Sequence, residues 1–548
     1  MKIQLFLVLI LFSAMHLAAS QPDTTKNPNH ADSLRGFLSP LRSCYDIRFY
    51  HLDIKIDPIE KFISGHNTIT FTVVKPMADM QLDLFANMKV DSILYNGIRL
   101  SYKRDGNAVF IHFPKKFKSS ENISIVFWYS GKPIKAKNAP WDGGFSWTKD
   151  SLGRPWVAVS CQGTGASLWW PNKDHQSDEP DSMLISIHVP KGLQDISNGR
   201  LVRTYTDKDG YTCFDWFVKN PINNYDVTVN IGYFAHFSDH FSNLTLDYYV
   251  LPENLSQAKK QFTQAKTMLA CFTKYFGPYP FPEDGYKLVQ SPYLGMEHQS
   301  AIAYGNHFKN GYLGTDLSDT GIGLSWDYII VHESAHEWFG NNITTNDIAD
   351  SWVHESFATY AESLYVEYLY GYEKGQRYVL GMRSKIKNAE PCIPLYGVNQ
   401  DGAPDIYFKG ANILNTVRHI IANDNTWFHI LKGMNLNFKH KTVDGSQIIN
   451  FISTESGLDL SKIFEQYLHY AAIPKLEYRF TIDGHEMQYK WLTDVQDFEM
   501  PARFILGNQA ITVSAKSSGW KTLMLPKNIS IDKVKIDTDT YYIATQKD

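Results

Sequence analysis

Cysteine is scarce in this chain. Five residues, Cys44, Cys161, Cys213, Cys271 and Cys392, are spread over 548 positions. Five is an odd number and no CxxC pair occurs. Export would permit disulfides, but this count and spacing assign neither a disulfide framework nor a cysteine metal site. One-signed charge is also missing. Lys plus Arg number 53 and Asp plus Glu 57, for a formal net charge of −4. With no block of basic residues, nucleic acid is not the expected partner. Beyond the first dozen residues no apolar run approaches the ~20 residues of a spanning helix. Internal repeats and low-complexity tracts are absent as well.

What apolar run there is lies at the N-terminus. Lys2 precedes Leu5 to Phe12, and Ala18-Ala19-Ser20 supplies small residues ahead of polar Gln21-Pro22-Asp23. A positive start, a short apolar stretch and a small-residue cleavage site read as a signal peptide over 1–20. The expectation is an exported protein, periplasmic or extracellular, with no stable membrane insertion after signal removal. No cysteine stands at the cleavage site, so a lipid-anchored mature form is not indicated.

The length exceeds one typical domain of ~100–200 residues, and the 43 % hydrophobic fraction is ample for more than one core. Residues 21 to about 42 carry Pro22, Pro28 and Pro40 and read as a loose lead-in. From Tyr45 to about Phe237, β-branched and alternating segments such as His51–Ile56, Thr68–Val73 and Ile123–Trp128 are separated by Asn96-Gly97 and Asp105-Gly106 turns. This pattern predicts an all-β region. Near residue 250 the period changes. Ala258, Phe262, Ala265, Leu269, Phe272 and Phe276 step by three or four, and Gly277-Pro278 stops the run. Further helices are predicted at about 322–340, 352–370 and 410–423. Short strands return from Pro474. The predicted fold class is multidomain α+β: an N-terminal β domain at 21–244, a mainly helical domain at 245–473 and a short C-terminal β domain at 474–548.

The strongest chemical signal is Val331-His332-Glu333-Ser334-Ala335-His336. Positions i and i+4 share a helix face, so both imidazoles reach one ion. Glu333 lies one step round, beside the open position of that ion and suited to be a general base. A short motif of this kind also arises by chance on a solvated helix face. A third ligand raises its weight. Eighteen residues separate His336 from Glu355, and Gly340-Asn341-Asn342 ends the first helix before a second begins near Ser351. The second helix has a predicted core stripe of Phe357, Tyr360, Ala361, Leu364, Tyr365 and Tyr368. Glu355, Thr359 and Glu362 share another face. Two antiparallel helices would set Glu355 opposite the imidazoles, with Glu362 placed to hydrogen-bond one of them. Two His and one carboxylate suit a single Zn²⁺ per chain.

These segments, His332-Glu-Ser-Ala-His336-Glu-Trp-Phe-Gly-Asn341 and Trp352-Val-His-Glu355-Ser-Phe-Ala-Thr-Tyr360, resemble the zinc signature of the aminopeptidase N family of gluzincin metallopeptidases. Leu294-Gly295-Met296-Glu297-His298 is similar to that family's Gly-Ala-Met-Glu-Asn segment. The resemblance makes Glu297, with Gly295 and Met296 beside it, the substrate-binding segment that takes a free α-amine. Tyr407-Phe408-Lys409-Gly410 is similar to the family's Tyr-x-Lys-Gly segment, which gives Tyr407 the tetrahedral oxyanion. Gln162-Gly163-Thr164-Gly165, ahead of Trp169-Trp170-Pro171, resembles the stretch carrying a second amine-binding residue, here Gln162. The implied fold of the middle domain is thermolysin-like, and the implied activity is zinc-dependent hydrolysis of N-terminal residues from peptides. The implied partners are peptides with a free N-terminus; oligomeric state is left open.

The sequence departs from the family at Leu294, His298, His354 and Ser356. None removes a ligand or the base, and the two histidines read as packing or hydrogen-bonding groups. The chain also ends before the large C-terminal helical domain that many members carry, so a more open cleft is expected. A thermolysin-like endopeptidase, an epoxide hydrolase on the same zinc site and a non-enzymatic binding module remain as alternatives. The Gly295-Met-Glu-His segment speaks against the first, nothing selects the second, and retention of every ligand and the base speaks against the third.

Overall fold

The computed structural model describes residues 27–482, 484–527 and 529–548. The signal-peptide reading at 1–20 lies outside the described residues. In place of a loose lead-in, residues 27–44 hold two short helices, α1 (His30–Gly36) and α2 (Pro40–Ser43). Asn29 caps α1 in a reciprocal capping box with Asp32, and the Arg42 side chain is fully buried against Asp83.

The β region follows from alternation. In Tyr45–Asp57, Tyr50, Leu52, Ile54 and Ile56 are buried while their neighbours are not. That strand pairs antiparallel with Phe62–Val73 and parallel with Ser182–Val189, at the centre of an eight-stranded sheet. Two smaller sheets, Met77–Asp83 with its partners and Pro155–Ser160 with its partners, add to the same core. Trp169 and Trp170 fill it without exposure.

This core does not stop at the β region. It takes in Val289, Met296 and Ala303 from a five-stranded sheet, with Tyr293 from the connection between two of its strands. The order of that sheet is Ala235–Phe241, Leu244–Val250, Tyr286–Gln290, Ile302–Tyr304 and Gly295–Met296. Gly295–Met296 is therefore an edge strand, anchored from behind by the neighbouring region.

The helical middle begins with α3 (Leu255–Gln261) and α4 (Gln264–Phe276). The predicted single helix is broken at Phe262-Thr263, but its apolar face is buried as expected, and Gly277 ends it at φ +99°. Next come α5 (Tyr328–Ala335), α6 (Trp352–Tyr370), α7 (Tyr372–Gly381) and α8 (Asp405–Ile421). The helix α6 is central: every residue from Trp352 to Val366 is buried. A helix buried all round has no single core stripe. Tyr368, predicted to be core, lies past the buried stretch at 38 % exposure. Helices α9 (Asp424–Asn437), α10 (Gly445–Ser456) and α11 (Ser461–His469) complete the middle.

The C-terminal strands form two sheets, one of four strands and one of three. Trp491, Phe498 and Phe504 share one continuous core with Tyr467 and Leu468 of α11. Two further ties are Tyr467 Oη donating to the Tyr542 carbonyl at 2.6 Å and Arg383 donating to the Thr538 carbonyl. The β, helical, β order matches the predicted α+β class. All five cysteines are buried free thiols. Among the described residues, no helix is long and apolar enough to cross a membrane.

Helices α6 and α8 approach closely at Gly410. A Cβ there would overlap the Ser356 side chain, whose Oγ donates to the Ile406 carbonyl at 2.7 Å. Gly410→Ala is expected to destabilise the protein by about 1–3 kcal/mol, as overpacking does. In a Ser356→Gly background the same change should be neutral or stabilising, because alanine is the better helix former by ~1 kcal/mol. Thermal melts of the four variants check this; an equal loss in both backgrounds would contradict the contact.

Candidate metal centre

The helix carrying the first two candidate ligands starts at a strong cap. Asp327 accepts from Ile329 N and Ile330 N, and its carboxylate also takes the Tyr304 hydroxyl, the Gln261 amide and the Asn306 amide. The helical run is shorter than predicted. It reaches Ala335 and passes into a wider turn over Glu337–Asn341, where Phe339 and Gly340 leave helical geometry. Gly340 sits at φ +130°, and a Cβ there would press on His336 Nδ1 at 3.3 Å. The departure has a consequence. The Phe339 carbonyl turns back to accept from His336 Nδ1 at 3.0 Å. His332 is fixed in the same way: its Nδ1 lies 2.8 Å from Glu362 Oε1, and Glu362 Oε2 accepts the Tyr378 hydroxyl at 2.8 Å.

With both Nδ1 atoms engaged, both Nε2 atoms face Glu355. They stand 3.6 Å and 3.5 Å from one oxygen, Glu355 Oε2. That oxygen is buried and has no hydrogen-bond partner. The three ligand atoms lie within 4.8 Å of one another. A tetrahedral zinc ion with bonds of ~2.0–2.2 Å sets its ligand atoms roughly 3.3–3.6 Å apart. The observed spacing is too long for good hydrogen bonds and right for ligands that share an ion.

Electrostatics agree. Burial pulls the Glu355 carboxyl up, yet the His336 and His332 imidazoles outweigh it and hold it well below the usual range. Burial pulls His336 down, yet the Glu355 and Glu297 charges lift it to about 9. Glu333 is pushed up to about 7, first by burial and then by Glu297, against the pull of His332. Four carboxylates, Glu297, Glu333, Glu355 and Glu362, surround two imidazoles, an excess of negative charge that favours a dication.

The other predicted residues converge on the same place. The Glu333 carboxyl lies against the edge strand, where a Cβ on Gly295 would come within 2.5 Å of Oε1. A larger residue there would displace the carboxyl from its present position. Glu297, Glu333 and His336 also bring ligand-type atoms within 4.8 Å. Gln162 reaches in from the β region, its Nε2 donating to Glu297 Oε1 at 2.6 Å and to Glu355 Oε1 at 3.1 Å. The Tyr407 ring stacks beside His332 with centroids 6.2 Å apart. Burial, and then the Glu355 and Glu297 charges, push its hydroxyl well up. The Met296 side chain is different: it packs into the β-region core and is 1 % exposed.

The two extra histidines stand apart from the ligand set. His354 Nε2 accepts from Thr345 N at 3.0 Å, and burial lowers the ring to about 3. His298 is wholly buried, also lowered to about 3 by burial. Sequence reasoning missed Tyr378, Asn341 and Tyr225. Asn341 Nδ2 donates to the Glu297 carbonyl at 2.8 Å, and its place inside the motif was a usable signal. Tyr378 lies on α7, which has no motif, and nothing in the sequence pointed to it. Tyr225 is 5 % exposed, and the Glu297 and Glu355 charges help to raise its hydroxyl after burial.

Two histidines four apart on one helix, a glutamate from the next helix and a free glutamate beside them define a gluzincin-type metal site. Residues 261–467 match the peptidase family M1 domain. Leucyl aminopeptidase of Saccharolobus solfataricus is 22 % identical over 408 residues, 70 % of this chain and 51 % of that protein. Tricorn protease-interacting factor F2 of Thermoplasma acidophilum is 22 % identical over 500 residues, 85 % of this chain and 58 % of that protein. Among solved structures, a mutant M1 zinc metallopeptidase from Deinococcus radiodurans bound to a Tyr-Ser-Ala substrate superposes with a TM-score of 0.65 at 20 % identity. That match covers 80 % of this chain and 97 % of that one. The chain spans about half the length of the curated relatives it matches. Together these findings support an aminopeptidase N-type gluzincin family, with the peptidase M1 domain at 261–467. The family implies zinc, and the unpartnered Glu355 oxygen facing two imidazoles fits that ion.

If Glu362 and Tyr378 orient His332, removing them weakens metal binding without removing a ligand. Glu362→Gln is expected to lower zinc affinity about 10–100-fold, as loss of such partners does, and Tyr378→Phe by less. Competition with a chromophoric chelator measures both. Unchanged affinity in Glu362→Gln would contradict the orienting role.

Proposed function

We propose that this chain is an exported zinc-dependent aminopeptidase that removes N-terminal residues from peptides. The observation that carries this reading is the Gln162 bridge. One carboxamide spans Glu297 Oε1 and the metal-ligand carboxylate Glu355. The candidate amine anchor is thus a single side chain away from the metal site. A peptide whose α-ammonium docks on Glu297 has room for only its first carbonyl at the metal. An internal segment of a longer chain offers no ammonium there. Similarity to proteins named aminopeptidases supports the same reading.

The roles follow from position. His332, His336 and Glu355 would hold the zinc ion, which when bound would supply Lewis-acid polarisation of the scissile carbonyl and a water of pKa lowered toward ~7. Glu333, unobstructed above Gly295, accepts the proton of the attacking water and delivers it to the departing amine. Tyr407 donates to the oxyanion as the carbonyl becomes tetrahedral. Glu297 and Gln162 fix the α-ammonium through charge-assisted hydrogen bonds, which keep the first peptide bond in register.

Two experiments test this. A peptide with a free N-terminus should lose single residues in order, while its N-acetylated twin survives; mass spectrometry of timed digests reads the ladder. Internal cuts in the acetylated peptide at a comparable rate would reject the aminopeptidase reading and leave an endopeptidase. Glu333→Gln should keep its zinc and lose ~10²–10⁴ in kcat, the range for a positioned general base. Near wild-type turnover would remove Glu333 from the mechanism.

A further inference from the structure

The segment that carries the candidate amine anchor leaves the edge strand at Met296 and soon turns. Ala301 N donates to the His298 carbonyl at 2.9 Å, which closes a turn over 298–301. Within that turn Ser300 sits at φ +57°. This is the left-handed region, where a turn favours glycine. A serine persists there only when its surroundings over-determine it.

Here they do so through one peptide group, gripped at both ends. The Ser300 N–H donates to Glu337 Oε1 at 2.7 Å, and the Gln299 carbonyl accepts from Asn198 Nδ2 at 2.7 Å. The Ser300 hydroxyl accepts from Gly199 N at 2.8 Å. Glu337 is itself aimed, because Tyr279 Oη donates to its other oxygen at 2.9 Å. Asn198, Ser300 and Glu337 are all fully buried.

Glu337 directly follows the ligand His336, yet its carboxylate is turned to the anchor segment and is no part of the ligand set. The wide turn that it opens, Glu337–Asn341, also holds that segment further back, through Asn341 Nδ2 and the Glu297 carbonyl at 2.8 Å. The same turn supplies the Phe339 carbonyl that fixes His336. One short element therefore ties the anchor segment at Glu297 and at Ser300 while it aims a metal ligand.

Resting on the aminopeptidase reading above, we infer that Glu337 is a positioning residue: by holding the peptide group between Gln299 and Ser300, it keeps Glu297 at the distance from the metal that admits only the first peptide bond. Without it that peptide group turns over, Ser300 relaxes from positive φ, and the Glu297 carboxylate shifts against the metal site. The α-ammonium then binds less well, while Glu333 and Tyr407 stay in place.

The test uses the zinc-loaded full chain, a peptide with a free N-terminus and its N-acetylated twin. Glu337→Ala, shown to hold about one zinc per chain, is expected to raise KM for the free peptide about 10-fold, a factor within reach of a hydrogen bond to a charged group. Its kcat should change little, the mark of lost binding rather than lost chemistry. The advantage of the free peptide over its twin should shrink by the same factor. Glu337→Gln keeps an oxygen that accepts from Ser300 N and should restore KM. A merely structural loss would instead lower kcat and zinc content together and leave KM and the preference for a free N-terminus unchanged. Asn198→Ala releases the other end of the same peptide group without touching the metal helix, and should move KM in the same direction. It carries the test if Glu337→Ala does not fold. Unchanged KM in Glu337→Ala, or in Asn198→Ala where the first does not fold, overturns the inference, as does a Glu337→Gln variant as impaired as Glu337→Ala. In those cases trimming of the free peptide by the unaltered protein leaves the aminopeptidase reading standing. If the unaltered protein leaves the free peptide intact, that reading fails and this one with it.

Discussion

One buried oxygen organises the centre of this protein. Glu355 Oε2 faces two imidazole nitrogens and has no hydrogen bond of its own. An unpaired buried carboxylate is costly, and the surroundings hold it in place. The Phe339 carbonyl and the Glu362 carboxylate take the two Nδ1 atoms, so both Nε2 atoms point inward. The central helix that carries Glu355 is buried on all sides, so the oxygen has little freedom to turn to water. The arrangement is unsatisfied by protein alone and complete once a cation sits among the three groups.

The rest of the fold serves that arrangement through close approaches. Gly295 admits the Glu333 carboxyl to the edge strand, and Gly410 admits Ser356 between two helices. The edge strand is pinned from behind because Met296 belongs to the core of the neighbouring β region. The same region sends Gln162 across to Glu297 and Glu355. The N-terminal helix then clamps the Gln162 loop through Arg35. Groups from regions far apart in sequence are thus fixed within one hydrogen-bond network, which gives the centre both its metal geometry and its directionality.

Much of this was legible in the residues. The period change near 250 and the alternation before it are strong local signals, and the β, helical, β order was read from them. The i, i+4 histidines needed only helix geometry. What could not be read has physical causes. The predicted helix over 322–340 ends early because the chain must turn at Gly340 to let Phe339 reach His336, a tertiary demand with no local signature. Tyr368 fails as a core residue because α6 is buried all round and then emerges. Residues 27–44 looked loose because their prolines and polar residues hide two short helices held by long-range contacts to Asp83 and Gly163.

The geometry at Glu355 calls for a metal ion, so the most direct measurement is zinc K-edge X-ray absorption on the purified protein, with metal content by mass spectrometry. About one zinc per chain is expected, bound by two imidazole nitrogens at ~2.0–2.1 Å and carboxylate oxygen at ~2.0–2.2 Å, with no sulfur in the shell. The imidazole scattering should be lost in His332→Ala combined with His336→Ala. A metal-free protein that still hydrolyses peptides, or a zinc shell that keeps both imidazoles in that double variant, would contradict it.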